Sequence, residues 1–103
     1  MKTIEVVMVR VYLMEHESHL NTLLKRLHDW GKVRGVTVFR GIAGYGESGT
    51  YTSALVDMSL NLPLVVEFFE EPEKAAEILD YLNDVIKPGH VVSWPAKLSV
   101  KEE

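Results

Sequence analysis

The first long apolar segment of the chain, Ile4–Leu13, has no polar face. Successive side chains of a strand point to opposite faces of the sheet. One alternating set is Val7, Val9, Val11 and Leu13, and the other is Val6, Met8, Arg10 and Tyr12. Neither set suits full contact with water, so the segment predicts a central strand that is covered on both faces.

Helical and strand-like segments follow in a regular order. The predicted elements are a helix over 18–30, strands over 36–43 and 63–69, a helix from Pro72 to Pro88-Gly89, and a strand over 91–100. Ser18 is a candidate N-cap of the first helix, and Gly31 is placed to end it. Pro95 predicts that the last strand lies at an edge, where a missing N–H does least harm.

This order predicts an α+β fold, the ferredoxin-like βαββαβ sandwich, with a four-stranded antiparallel sheet and two helices on one face. The 103 residues suffice for one domain, residues 1–103. We expect the first and third strands to be central, and to run parallel to each other. The other face of the sheet has no helix to cover it, and its apolar side chains predict a homo-oligomer. Arg10 and Glu67 interrupt these apolar strands and are candidates either for an ion pair or for contact with solvent.

Composition narrows the range of functions. The chain carries eleven basic and fifteen acidic residues, which argues against a broad electrostatic surface for nucleic acid. It has no cysteine, which suits a reducing compartment. We find no signal peptide and no apolar stretch long enough for membrane insertion, so the expected location is the cytoplasm.

The sequence contains few candidate catalytic groups. We predict that the protein is not an enzyme and has no catalytic residue. The sequence contains no Gly-x-Ser-x-Gly or Ser-x-x-Lys pattern. His16 and His19, near Glu15 and Glu17, offer a partial metal site, but a closed site needs four ligands. A solvated polar face explains the same residues, and we assign no metal ligand.

Four of the seven glycines in the chain lie in the segment from Arg40 to Gly49. Such a run suits either a hairpin turn or a phosphate cradle made of backbone N–H groups. Tyr45 within it suits either stacking on a base or packing at a turn. A second turn, Lys87-Pro88-Gly89-His90, combines a basic residue, a glycine and a histidine; a plain helix stop explains it equally well. No Walker motif is present.

These features together resemble the PII signalling proteins, and more closely the uncharacterised PII-like family with Arg-Gly-Ile-x-Gly-Tyr/Phe-Gly after the second strand. The resemblance rests on three segments, Arg10–Leu13, Gly35–Gly46 and Leu62–Glu67. It implies a homotrimer that binds an adenine nucleotide (ATP, ADP or AMP) in clefts between subunits. It also implies a flexible loop, residues 47–58, that contacts a target protein whose identity the sequence does not give.

Position by position, the resemblance makes Thr37 the threonine that begins the second strand. Gly44-Tyr45-Gly46 corresponds to the base of the flexible loop, and Lys87 to His90 to the phosphate-contacting turn. The nucleotide-binding set that it implies is Thr37, Arg40, Gly41, Gly44, Tyr45, Gly46, Lys87, Gly89 and His90. The chain departs from PII where Glu47 replaces an arginine, and at the C-terminus, where only Lys97 and Lys101 are basic.

The leading hypothesis is therefore a trimeric PII-like regulator that senses an adenine nucleotide. The alternative is a CutA-like trimeric metal-binding protein of the same fold, with His16, His19 or His90 as ligands.

Overall fold

A computed structural model describes residues 1–14, 20–46, 49–51 and 62–102. Its elements are β1 (Lys2–Met14), α1 (Leu20–Asp29), β2 (Thr37–Arg40), β3 (Gly44–Gly46), β4 (Gly49–Tyr51), β5 (Pro63–Glu70), α2 (Pro72–Val85) and β6 (Val91–Val100). Ser18 lies outside the described residues. The order of the main elements is the one that the sequence predicts.

The main sheet has four strands in the order β2-β5-β1-β6, and every neighbouring pair is antiparallel. This confirms the ferredoxin-like α+β fold and the edge position of β6, which carries Pro95. The expectation that the two central strands run parallel was wrong, because β1 and β5 are antiparallel. β1 runs parallel to β2, with β5 between them, and β5 runs parallel to β6, with β1 between them.

The glycine run lies partly in a short strand, which the sequence prediction did not include. Gly44–Gly46 forms β3, which pairs with β4 as a separate two-stranded ladder. The preceding strand β2 is shorter than predicted and ends at Arg40. Because glycine lacks a side chain, periodicity gives no signal for a glycine-rich strand, and only the backbone pairing shows it.

Both helices pack on one face of the sheet. The core contains Val9, Val11, Leu64, Val66 and Phe68 from the two central strands, and Leu23, Leu27, Ile78 and Leu82 from the helices. These are the apolar positions that the two periodicities predict. α1 ends as expected before Gly31, whose N–H donates to the Arg26 carbonyl oxygen at 3.0 Å.

The opposite face of the sheet, here called the open face, carries large apolar side chains in this single chain. Tyr12, Phe39, Val92 and Trp94 point to it and are 37–49% exposed. Arg10 and Glu67 lie among them as directly opposed residues of β1 and β5. An apolar surface of this kind typically marks an interface.

Candidate functional site

The two candidate phosphate turns lie at the same end of the sheet but on opposite edges. β2 ends at Arg40 beside Leu64 of β5, and β6 begins at Val91 beside Val11 of β1. β5 and β1 separate these edges, so the two turns are about 14 Å apart at the usual strand spacing. Within one chain, Gly41 is therefore not adjacent to the turn of Lys87, Gly89 and His90.

Gly41 fixes the first turn by a close approach to β5. Its N–H donates to the Pro63 carbonyl oxygen at 2.8 Å, and a Cβ placed on it would lie 2.7 Å from Pro63 Cγ. Only glycine fits this position without displacement of its neighbour. Gly41 and Pro63 thus bring together the two ends of the chain segment that contains residues 42–62.

The second turn is anchored to the end of β1. Gly89 has φ of +89°, a conformation that favours glycine. The Tyr12 N–H donates to the His90 carbonyl oxygen at 2.9 Å, and His90 Nδ1 lies 3.1 Å from the Tyr12 carbonyl oxygen. When Nδ1 carries the proton it donates to that oxygen, and the backbone then holds the ring in place. The side chain of Lys87 is exposed at this turn.

A pocket opens beside Thr37 at the start of β2, with a volume of about 490 Å³. Its lining consists of Met8, Arg34–Thr37, Glu67–Phe69 and Leu98. The Arg34 guanidinium lies 6.0 Å from the centre of the Phe69 ring. The sequence prediction included Thr37 but missed the other lining residues, because they come from four separate segments and belong to no local motif.

A charged pair crosses the centre of the open face. Arg10 Nε donates to Glu67 Oε1 at 2.6 Å, and the Arg10 guanidinium lies 5.4 Å from the Trp94 ring centre. The hydrogen bond to Glu67, followed by that to Tyr12, raises the pKa of Arg10 above its ordinary value. This confirms the ion-pair alternative for Arg10 and Glu67.

Part of the predicted site lies beyond what the structure describes. The backbone places Tyr45 and Gly46 in β3, and residues 49–51 of the predicted loop in β4. Residues 47, 48 and 52–58 of that loop fall outside the described residues, as do His16 and His19. In the described ranges, no group of three or more His, Asp or Glu residues is arranged to hold a metal. No helix in that part of the chain is long and apolar enough to cross a membrane.

Comparison with known sequences gives a consistent family. The DUF190 family model, described as "Uncharacterized ACR, COG1993", matches residues 6–98. A UPF0166 protein of Methanocaldococcus jannaschii is 30% identical over 92 residues, which cover 82% of each chain. A UPF0166 protein of Aquifex aeolicus is 34% identical over 89 residues, which cover 81% of this chain and 84% of that protein.

Comparison with solved structures gives the fold. CPII, a nitrogen regulatory PII-like protein from Thiomonas intermedia bound to ADP, AMP and bicarbonate, superposes with a TM-score of 0.68. The two chains are 16% identical, and the match covers 98% of this chain and 100% of CPII. A PII-like signalling protein of Thermus thermophilus gives a TM-score of 0.59 at 17% identity, over 95% of this chain and 90% of that one. The chain belongs to the DUF190 (UPF0166) family and has the fold of the PII-like proteins.

Proposed function

We propose that this PII-like protein is a regulator that binds an adenine nucleotide in a cleft between subunits. The observation that carries the proposal is the position of the two turns, at one end of the sheet and on opposite edges. A single chain holds them about 14 Å apart. A neighbouring subunit that approaches the edge brings its own turn toward the glycine run, which explains why the two halves of the site lie on different edges.

The pocket beside Thr37 suits the base of such a nucleotide. Met8, Phe69 and Leu98 supply apolar surface, and the Thr37 hydroxyl and nearby backbone groups supply hydrogen bonds. Pockets with apolar walls and a few polar groups are the usual form of small-molecule sites. Arg40 lies three positions after Thr37 along β2, about 10 Å away, so a base beside Thr37 directs its phosphates toward the glycine run.

The phosphates then lie beside Gly41 and meet backbone N–H groups of Gly44 and Gly46, with Lys87 and His90 supplied by the second turn of a neighbouring subunit. Lysine attracts a phosphate as a point charge, and backbone N–H groups add direction. The bound ADP and AMP of CPII, which shares the fold, support an adenine nucleotide as the ligand class.

The signal passes to a target protein through the loop of residues 47–58. A nucleotide changes the population of loop conformations only if it binds one of them more tightly than the others. Gly41 and Pro63 bring together the two ends of residues 42–62, the segment that contains this loop, at the proposed phosphate site. A ligand at that site therefore contacts the base of the loop.

The open face supplies the interface of a homotrimer in this proposal. Light scattering tests it directly: we expect a species of three times the 11.7 kDa chain mass. Phe39 is 49% exposed on the open face, and Phe39→Glu introduces a charge there that is costly to bury. We expect this variant to dissociate, whereas an 11.7 kDa species for the unaltered protein at micromolar concentration contradicts the interface.

Calorimetric titration with ATP, ADP and AMP, each with and without Mg²⁺, tests the ligand. We expect saturable heat for at least one nucleotide and weaker binding in Thr37→Val and Lys87→Met. Lys25→Met is the matched control, because Lys25 lies on α1 in the helix layer and the variant loses the same charge. Absence of heat and of a thermal shift with all three nucleotides rejects the proposal. Equal binding by all variants rejects the assigned residues.

A further inference from the structure

Glu70 is the one charged side chain that the structure buries within its described ranges, with a residue exposure of 2%. It is the last residue of β5 and lies on the helix-covered side of the sheet. Two groups contact its Oε2 atom: Lys74 Nζ at 3.4 Å and the Arg34 backbone N–H at 3.3 Å. Lys74 Nζ also donates to the Lys32 carbonyl oxygen at 2.6 Å. We call Glu70, Lys74 and their two backbone partners the clasp.

The clasp holds the connection between α1 and β2 against the start of α2. This connection has an irregular backbone, in which Lys32 adopts φ of +54°. Three backbone bonds tie it to α1: the Trp30 and Gly31 N–H groups both donate to the Arg26 carbonyl oxygen at 3.0 Å, and the Val33 N–H donates to the Leu27 carbonyl oxygen at 3.1 Å. Lys74 and Glu70 supply polar contacts to α2 and β5, beside the ring contact of Trp30 with Tyr81 of α2 and the burial of Val33 in the core.

The same connection leads directly into the wall of the pocket. Arg34, whose N–H the clasp binds, is the first residue of the lining segment that ends at Thr37. Its guanidinium lies against Phe69, the neighbour of Glu70 in β5. A displacement of Glu70 therefore moves the pocket wall in two ways. It acts through the bond to the Arg34 backbone N–H, and through the contact of the Arg34 side chain with Phe69.

We infer that Glu70 and Lys74 are positioning residues of the nucleotide site: they set the Arg34–Thr37 wall and through it the affinity for the ligand. The inference rests on the proposed function, because it takes the pocket as the base subsite. Lys74 compensates the charge of a carboxylate that is removed from water. Without the ammonium, the buried carboxylate loses its countercharge and moves toward solvent, which alters its bond to the Arg34 N–H.

Calorimetry with AMP and ADP on Lys74→Met measures the consequence. We expect binding to weaken by about two- to thirtyfold, the range for residues that act on a ligand without contact. Lys74→Arg keeps the positive charge and has N–H donors for both Glu70 and the Lys32 carbonyl oxygen. It is expected to restore most of the affinity. Lys25→Met removes an equal charge from α1 and is expected to leave the affinity unchanged. All titrations are made well below the melting temperature of each variant.

Nuclear magnetic resonance of the nucleotide-free protein separates positioning from general stability. We expect the amide signals of residues 34–37 to shift in Lys74→Met, while those of residues 40–44 at the other end of β2 stay in place. Lower thermal stability with less than a twofold change in affinity overturns the inference, as do unmoved amides at 34–37. If the unaltered protein binds no nucleotide, the proposed function fails separately, and the amide shifts alone decide whether the clasp positions the wall.

Discussion

Gly41→Ala tests the close approach between the glycine run and β5. The substitution adds one methyl group at the position where a Cβ lies 2.7 Å from Pro63 Cγ. Carbon atoms in favourable contact are about 3.5–4.0 Å apart, so the methyl group intrudes by about 1 Å. The proline ring cannot rotate away as a flexible side chain does. The backbone of β5 or of the turn therefore has to move.

The expected cost follows from this intrusion. Overpacking by a methyl group typically lowers the free energy of unfolding by about 1–3 kcal/mol. The displacement also weakens the bond from the Gly41 N–H to the Pro63 carbonyl oxygen, now 2.8 Å, whose loss alone is worth about 0.5–1.5 kcal/mol. Because these effects share one displacement, we expect a total of about 1–3 kcal/mol, which corresponds to about 4–20 °C in melting temperature for a domain of this size.

Urea denaturation followed by circular dichroism measures the change, with thermal unfolding as a second readout. Both are made at equal protomer concentration, because any binding between subunits adds to the measured stability. Gly35→Ala is the matched control, since no atom lies within 4 Å of a Cβ at Gly35 and its φ is outside the glycine-favouring range. We expect it to be neutral or stabilising by up to about 1 kcal/mol. A Gly41→Ala variant as stable as Gly35→Ala refutes the reasoning.

Two further predictions concern the helix layer. Leu82 is fully buried, so Leu82→Ala is expected to lower the free energy of unfolding by about 2–5 kcal/mol in urea titration, and a loss no greater than that of the partly buried Leu79→Ala contradicts the packing. The hydrogen bond from His28 lowers the pKa of Asp29 in the folded protein below 3.8. The ionised Asp29 carboxylate therefore stabilises the folded protein above the unfolded-state pKa, and this contribution is lost as the pH falls through the folded-state pKa. We expect the difference in urea midpoint between the unaltered protein and Asp29→Asn to vanish in that acidic range, and a pH-independent difference argues against this origin.

Strand and helix assignments from the sequence were largely correct, because buried apolar residues recur with different spacings along a strand and along a helix. β1 needed apolar residues at consecutive positions, and α2 needed them on one helical stripe. The pattern therefore identified Val9 and Val11 in one element and Ile78 and Leu82 in the other. The sequence alone does not decide between an ion pair and contact with solvent for Arg10 and Glu67, because the distance between the two side chains depends on strand register.

The predicted nucleotide-binding residues stay a prediction, and the sequence missed parts of the structure around them. Motif spacing pointed to Gly41 and to the turn at Lys87–His90, which are local features. It gave no sign of the β3–β4 ladder, since glycine has no side-chain period. It also gave no sign of Arg34 and Phe69 as neighbours, since their contact joins segments that are far apart in the chain.

The sequence by itself determined the order of elements, the core residues and the family, because local periodicity and short motifs are encoded by neighbouring residues. Only the tertiary structure decided that β1 and β5 are antiparallel, that the two turns lie on opposite edges, and that Glu70 is held by Lys74 beneath the pocket wall. Strand pairing and the burial of a charge are settled by residues distant in sequence. Their energies depend on register and on the partners that the fold brings within hydrogen-bond distance.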